Sequence, residues 1–244
     1  MYMTEEQLQH EREVMEELKN YDTPSITNVV ATYPDDENCL SLYHPWLGNW
    51  YTDQTCKCMF PELGRLCGYA VTCEYALPDP QYRRGSNVGD VFDAIKASPK
   101  PVILVVKQSL PEEIKNRNGL LGGNMMTAFK NAGIVGAISD GPSRDLDEVR
   151  ALGLQYMLTG VTAGHGEFAL RSLNEPVTVC GMQVSPGEII HMDENGAVKF
   201  PRKYLDEVLA RVKYLHEKEE GMQKKLAAAQ TGAEVDAIFS GNYK

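Results

Sequence analysis

Two short apolar runs, residues 101–107 (PVILVVK) and 134–139 (IVGAIS), limit the architecture before any other residue is considered. Each is continuous rather than alternating, as expected of strands buried on both faces, the situation of parallel strands in an α/β layer. Between them residues 124–131 carry a helical pattern. A second helix over 145–152 and a strand over 156–160 follow. This strand–helix alternation predicts α/β layering with parallel neighbours.

The flanking segments read differently. Residues 4–19 form a helix that Thr4 and Gln7 open with a capping box; residues 21–25 break it, and a short helix spans 26–31. Residues 33–64, rich in Pro, Trp, Tyr and Cys without a clean period, read as an irregular insertion. A strand over 66–75 contains Gly68 as a bulge or close approach, and a short helix covers 91–97. Beyond residue 160, strands are expected at 176–179 and 188–191, with an Asn195-Gly196 turn and residues 197–200 as a hairpin partner. The end is a long amphipathic helix over 202–229. Leu205, Val208, Leu209, Val212 and Leu215 form its stripe, and Gly221 is a point of bending. With no repeat and no linker, the chain reads as one domain over 1–244. Its parts are an N-terminal helical arm (1–32), the insertion (33–64) and a C-terminal helical arm (202–244).

A formal charge of -10, with no Lys/Arg run longer than two, argues against a nucleic-acid binder, because polyanions need a basic surface. No apolar run approaches a membrane span and no basic-plus-apolar leader opens the sequence, so the expected compartment is the cytoplasm. Of the six cysteines none forms a C-x-x-C pair, and Cys56-Lys57-Cys58 lacks the second pair a structural zinc needs. Without an export signal, reduced thiols are expected.

The chemistry concentrates between residues 122 and 148. A Gly122-Gly123 step before a helix start exposes free backbone N–H groups, so the amides near Asn124 and Met125 can hold a carboxylate or phosphate. The next strand ends at Asp140-Gly141-Pro142-Ser143-Arg144-Asp145, opening its loop beside that helix start, at the strand ends where open α/β sheets bind ligands. Arg144 can clamp a substrate oxygen and Asp145 can hold a divalent cation. The same residues also have a structural reading. Asp145 with Glu148 makes a helix N-cap and its N3 partner, and the Gly-Gly step makes a turn. His165, in the Gly-rich loop 162–167, can overhang the site as a general acid or base, with an ordinary pKa near ~6.5.

Gly122-Gly123-Asn124-Met125, Asp140-Gly141-x-x-Arg144-Asp145, Pro186-Gly187-Glu188 and Asp193-x-x-Gly196 to Pro201 together resemble the family of the class II pyruvate aldolases and the regulator of ribonuclease activity A. The likeness covers about residues 61–232. It implies a three-layer β/β/α fold, trimers or hexamers, and active sites between subunits. It also implies that Gly122, Gly123, Asn124 and Met125 present amides to pyruvate's carboxylate. Arg144 would then stabilise the enolate oxygen, and Asp145 would bind Mg²⁺ or Mn²⁺ directly or through water. His191 and Asp193, whose spacing also suits a ligand pair, are structural by the same likeness. One departure stands out: the aldolases carry an acidic residue where this chain has Gly123, and Glu148 is the replacement within reach. Similar aldolases also send an acidic residue from the C-terminal region into a neighbouring site. Glu220 is the candidate, with Glu217 on its face, against the alternative of a solvated charged helix.

The expected function is a divalent-metal-dependent lyase that cleaves a C–C bond of a small 2-oxo acid, by retro-aldol or by decarboxylation of the oxaloacetate type, with Glu148, Glu220 or water moving the proton. The alternatives are a non-catalytic ribonuclease-binding regulator and a metal-assisted isomerase or dehydratase of a sugar acid. A nucleotide-binding methyltransferase is disfavoured, because no G-x-G-x-x-G loop follows a strand.

Overall fold

The computed structural model describes residues 4–33, 38–46, 48–81 and 87–241. In chain order the elements are α1 (Glu5–Leu18), α2 (Thr23–Val30), β1 (Lys57–Cys58), β2 (Leu66–Ala76), α3 (Val88–Ala97), β3 (Val102–Ser109), α4 (Glu112–Lys115), α5 (Gly123–Ala132) and β4 (Ile134–Ser139). There follow α6 (Leu146–Ala151), β5 (Gln155–Leu158), β6 (Ala169–Leu173), β7 (Val177–Val179), β8 (Met182–Val184), β9 (Ile189–Asp193), β10 (Gly196–Phe200), α7 (Leu205–Ala228) and α8 (Gly232–Phe239).

The main sheet runs β1-β5-β4-β3-β2-β9-β10, with β6 also pairing β2. Strands β2, β3, β4 and β5 are parallel, as the apolar runs predicted, and β9, β10, β6 and β1 are antiparallel additions. The period-two alternation of strands then divides the core. Val71, Cys73, Val102, Leu104, Val106, Ala137 and Tyr156 point to one face, where α3, α5 and α6 bury Val91, Ile95, Phe129 and Val149. Ala70, Ile103, Val105, Ile138 and Met157 point to the other, covered by the β7–β8 hairpin through Val179, Met182 and Val184. Helices, sheet and hairpin are the three layers of an α/β fold of β/β/α type. A further apolar cluster at the β9–β10 end takes the long C-terminal helix α7, with α1 and α2.

The N-terminal capping box forms as expected: Thr4 Oγ accepts from Gln7 N and the Gln7 side chain from Thr4 N. Gly68 is a close-approach site, since a Cβ there would stand 2.9 Å from Pro101 O. His191 and Asp193 are fully buried and fasten the helical arm to the sheet. Thr23 N donates to Asp193 Oδ2 at 2.7 Å, Thr23 Oγ lies 2.9 Å from His191 Nδ1, and His191 Nε2 donates to Leu18 O at 3.3 Å. Burial pushes the His191 pKa down to about 4, despite the neighbouring Asp193. The imidazole is therefore neutral.

Several expectations are corrected. The long helix passes through Gly221 without interruption and starts at Leu205, after a 3-10 turn over Arg202–Tyr204. The end of the segment read as an irregular insertion belongs to the sheet, because Lys57 and Cys58 pair with β5. Strands β6 and β8 and helices α4 and α8 were not foreseen.

Candidate active site

The parallel strands β3, β4 and β5 deliver their carboxyl ends to one edge, where three loops zip together. Gly119 N donates to Gly164 O at 2.8 Å, Ser143 N to Gly160 O at 3.2 Å, and Thr162 N to Ser143 O at 3.0 Å. Arg144 N donates to Leu121 O at 3.3 Å, and the buried Tyr156 hydroxyl donates to the same carbonyl at 3.0 Å. The start of α5 and the 140–145 loop are therefore one unit, as their order in the sequence suggested.

Asp145 is the hinge of that unit. It adopts φ 58°, ψ 43°, a left-handed conformation that a non-glycine residue holds only when its surroundings fix it. The N-cap hydrogen bond expected of Asp145 is absent, so the capping-box reading of Asp145 and Glu148 is corrected. Instead Asp145 Oδ2 reaches across to accept from Gly123 N at 2.9 Å, using one of the free N–H groups of the α5 start. The next amides, of Asn124 and Met125, precede the first helical bond, Met126 N to Gly122 O at 3.0 Å. Helix α5 begins at Gly123, one residue earlier than the pattern predicted.

Both glycines leave room for the side chains that lean over them. A Cβ at Gly122 would stand 2.7 Å from Asp145 Oδ2 and 2.9 Å from Arg144 Nε. A Cβ at Gly123 would coincide with Glu148 Oε2. The side chain of Glu148, one turn into α6, thus fills the seat that a side chain at 123 would occupy. Arg144, Asp145 and Glu148 converge on the N-terminus of α5, with Arg144 and Asp145 about one-third exposed. Arg144 Nε lies 3.5 Å from Asp145 Oδ2, too long for a hydrogen bond, and it has no other partner. Ser143 Oγ, fully buried beside it, is likewise unpartnered. Burial, and after it the charge of Asp145, raises the pKa of Tyr156, so its phenol remains a donor.

Two predicted residues stand apart from this group. His165 is on the loop that covers Gly119, but its side chain is exposed, with Nδ1 against Gly166 O and the ring against Phe168. Glu220 lies on α7 among His216 and Lys224, and α7 packs on α1 and α2. Within one chain it is not brought to Arg144.

A buried polar network that the sequence did not disclose supports the loop. Gln108, at the end of β3, donates from Nε2 to Ser139 Oγ at 3.1 Å and to Pro142 O at 3.0 Å, while Asn118 Nδ2 donates to its Oε1 at 3.2 Å. Asp140 accepts from Gln108 N at 2.7 Å and pairs with Lys107 at 2.5 Å and Lys115 at 2.7 Å. The only available signal was a polar residue in the helix-facing register of an otherwise apolar strand. A cleft of about 780 Å³ opens at the opposite ends of the strands near Lys100 and Lys130. Two of its lysines hold helix-terminal carbonyls, Lys100 that of Ser98 and Lys130 that of Leu152, while Lys19 pairs with Glu16.

The fold and this edge define a class: a β/β/α protein with an Arg-Asp pair set against a glycine-opened helix start. The family model for RraA-like proteins (Aldolase/RraA) matches residues 47–199, and the chain belongs to that family. It is 25% identical over 169 residues to protein DlpA of Legionella pneumophila, across 68% of this chain and 26% of that protein, so it spans about a quarter of that relative's length. It is 24% identical over 148 residues to a putative 4-hydroxy-4-methyl-2-oxoglutarate aldolase of Halalkalibacterium halodurans, across 60% of this chain and 68% of that protein. Among solved structures it resembles Streptomyces coelicolor RraAS2, described as an unusual member of the RNase ES inhibitor RraA protein family. The TM-score is 0.64 and the identity 21%, over 87% of this chain and 96% of that one. Among the described residues no helix is long and apolar enough to cross a membrane.

Proposed function

We propose that the protein is a divalent-metal-dependent lyase of small 2-oxo acids, acting by retro-aldol cleavage or by decarboxylation. The observation that carries this reading is the convergence of Arg144, Asp145 and Glu148 on the glycine-opened start of α5. The amides of Asn124 and Met125 suit the substrate carboxylate, assisted by the helix dipole. The Arg144 guanidinium, with Nε unpartnered, donates to the 2-oxo oxygen and balances the negative charge that gathers there as the C–C bond breaks. Glu148 moves the proton.

The donor set fits Mg²⁺ or Mn²⁺. Asp145 and Glu148 offer hard carboxylate oxygens, and Asp145 engages the helix start through Oδ2 alone, leaving Oδ1 available. A bound divalent ion would act as a Lewis acid on the oxo oxygen. Among the described residues no group of three or more His, Cys, Asp or Glu gathers, so the remaining positions fall to water, substrate or a second subunit. We propose a homotrimer or homohexamer in which Glu220 of α7 completes a neighbour's site.

The test is pyruvate release, coupled to lactate dehydrogenase, from 4-hydroxy-2-oxo acids and oxaloacetate with Mg²⁺, Mn²⁺ or chelator. Metal-dependent release that Arg144→Ala abolishes supports the proposal. The absence of release, with copurification of a ribonuclease that Arg144→Ala leaves intact, would replace it with the regulator reading. Turnover of a sugar acid without pyruvate release would favour the isomerase or dehydratase.

A further inference from the structure

Outside the Arg144 edge, the structure brings two cysteines from distant parts of the chain into one buried apolar cluster. Cys56 lies just before β1, and Cys180 at the tip of the β7–β8 hairpin, and both side in the apolar cluster beneath that hairpin. Their backbones are stitched together: Asp53 N donates to Cys180 O at 2.8 Å, and Cys56 N to Asp53 O at 3.3 Å. Both side chains are buried there, each about 7% exposed. The neighbouring Cys180 thiol, and after it burial, raises the pKa of Cys56. Cys180 has a second neighbour, Ser139 O, at 3.8 Å from its Sγ. The other four cysteines lie elsewhere: Cys67 and Cys73 are buried in separate clusters, Cys39 bonds Asn28 O, and Cys58 is partly exposed.

We propose that Cys56 and Cys180 are a reversible dithiol–disulfide site, oxidised by small disulfides and coupled to the loop that carries Arg144. The turn formed by Cys180 and Gly181 sits at the hairpin tip with both residues at positive φ, 45° and 77°, and Gly181 is exposed. Cys180 is buried at that turn, so its oxidation proceeds through opening of the hairpin tip. Cys180, as thiolate, attacks one sulfur of the small disulfide; that S–S bond breaks and one thiolate leaves, taking up the proton Cys180 gave. Cys56 then attacks the Cys180 sulfur of the mixed disulfide; the S–S bond to the small group breaks, and the Cys56 proton passes to the thiolate that leaves as the second small thiol. Two protein thiols are oxidised by two electrons and one small disulfide is reduced to two thiols. The bond draws Cys180 Sγ from Ser139 O, and Ser139 Oγ is the group that accepts from Gln108 and from Gly141 N. Oxidation thus acts on the hydrogen bonds that hold the 140–145 loop. The site stands on its own geometry and does not depend on the lyase reading.

The experiment incubates the folded full chain with oxidised glutathione, blocks remaining thiols, and maps peptides without reduction. The expected result is a Cys56–Cys180 crosslink as the main product, a fall in titratable thiols from six to four, and reversal by dithiothreitol. Cys58→Ser retains the crosslink, and Cys56→Ser leaves a glutathione adduct on Cys180. A persistent count of six thiols, an adduct on Cys58 alone, or a crosslink formed only in denaturant would overturn the proposal.

Discussion

Replacing Gly123 by alanine separates stability from chemistry in a way few substitutions here can. The added Cβ would occupy the place of Glu148 Oε2 and stand 2.8 Å from Glu148 Cδ and 3.2 Å from its Cβ. What it meets is the end of a flexible, solvent-reaching side chain, so the carboxylate swings away and the backbone stays. Alanine is a better helix former than glycine by about 1 kcal/mol, which offsets the displaced contact and leaves stability within roughly 1 kcal/mol of the parent. A domain of this size then melts within a few degrees of it. If Glu148 moves the proton, its eviction lowers kcat by about 10²–10⁴-fold with a small change in KM. The assay is pyruvate release alongside thermal melting, on Gly123→Ala, Glu148→Gln and the double variant. The double variant loses no more than either single one, because both remove the same group. Gly123→Asp, which brings its own carboxylate to the same seat, recovers part of the rate. A Gly123→Ala protein with parental kcat would refute the assignment of Glu148.

Other expectations follow from the same geometry. Arg144→Ala lowers kcat by about 10²–10³-fold, the usual loss of a preorganised donor to a developing oxyanion, and Arg144→Lys recovers little because Nε is lost; steady-state kinetics decide this. Asp145→Ala removes the Mg²⁺ or Mn²⁺ dependence of turnover and releases Gly123 N, which a metal titration followed by calorimetry would show. Gly141→Ala forces a Cβ to 2.5 Å from the Gln108 side chain, which three polar groups hold in place, so it destabilises by about 1–3 kcal/mol in denaturant titration. His191 is held neutral with its pKa near 4, against 6.5 when unfolded. The unfolded chain binds the extra proton between those values, so stability is intact above pH 6.5 and falls by about 1.4 kcal/mol per unit as pH drops below it. His191→Gln flattens that part of the stability–pH curve.

The central α/β layer was legible in the sequence because continuous apolar runs such as PVILVVK specify strands buried on both faces whatever surrounds them. The Gly-Gly step and the Asp140–Asp145 loop were legible for a related reason: chain order alone puts a helix start beside the end of the next parallel strand. Strand β6 was not, since it pairs antiparallel with β2 across about a hundred residues and through a register shift at Glu74 and Tyr75, and no local period records such a partner. The role of Gln108 was hidden because a polar residue at a strand end is usually solvated; only the fold gives it Asn118, Ser139 and Pro142. Asp145 carried two readings in the sequence for a local reason. Asp followed three residues later by Glu is a capping signature, and the left-handed backbone at Asp145 sends both carboxylates to the Gly122-Gly123 step instead.

The most direct test of the proposed chemistry bypasses the unknown substrate side chain. Pyruvate is incubated in D₂O with the protein and Mg²⁺ or Mn²⁺, and exchange of its methyl hydrogens is followed by proton NMR. Enzyme-dependent loss of the methyl signal, abolished by chelator and by Arg144→Ala, is the predicted result. Exchange no faster than in buffer, or unchanged in Arg144→Ala, would contradict an enolate-forming site at the start of α5.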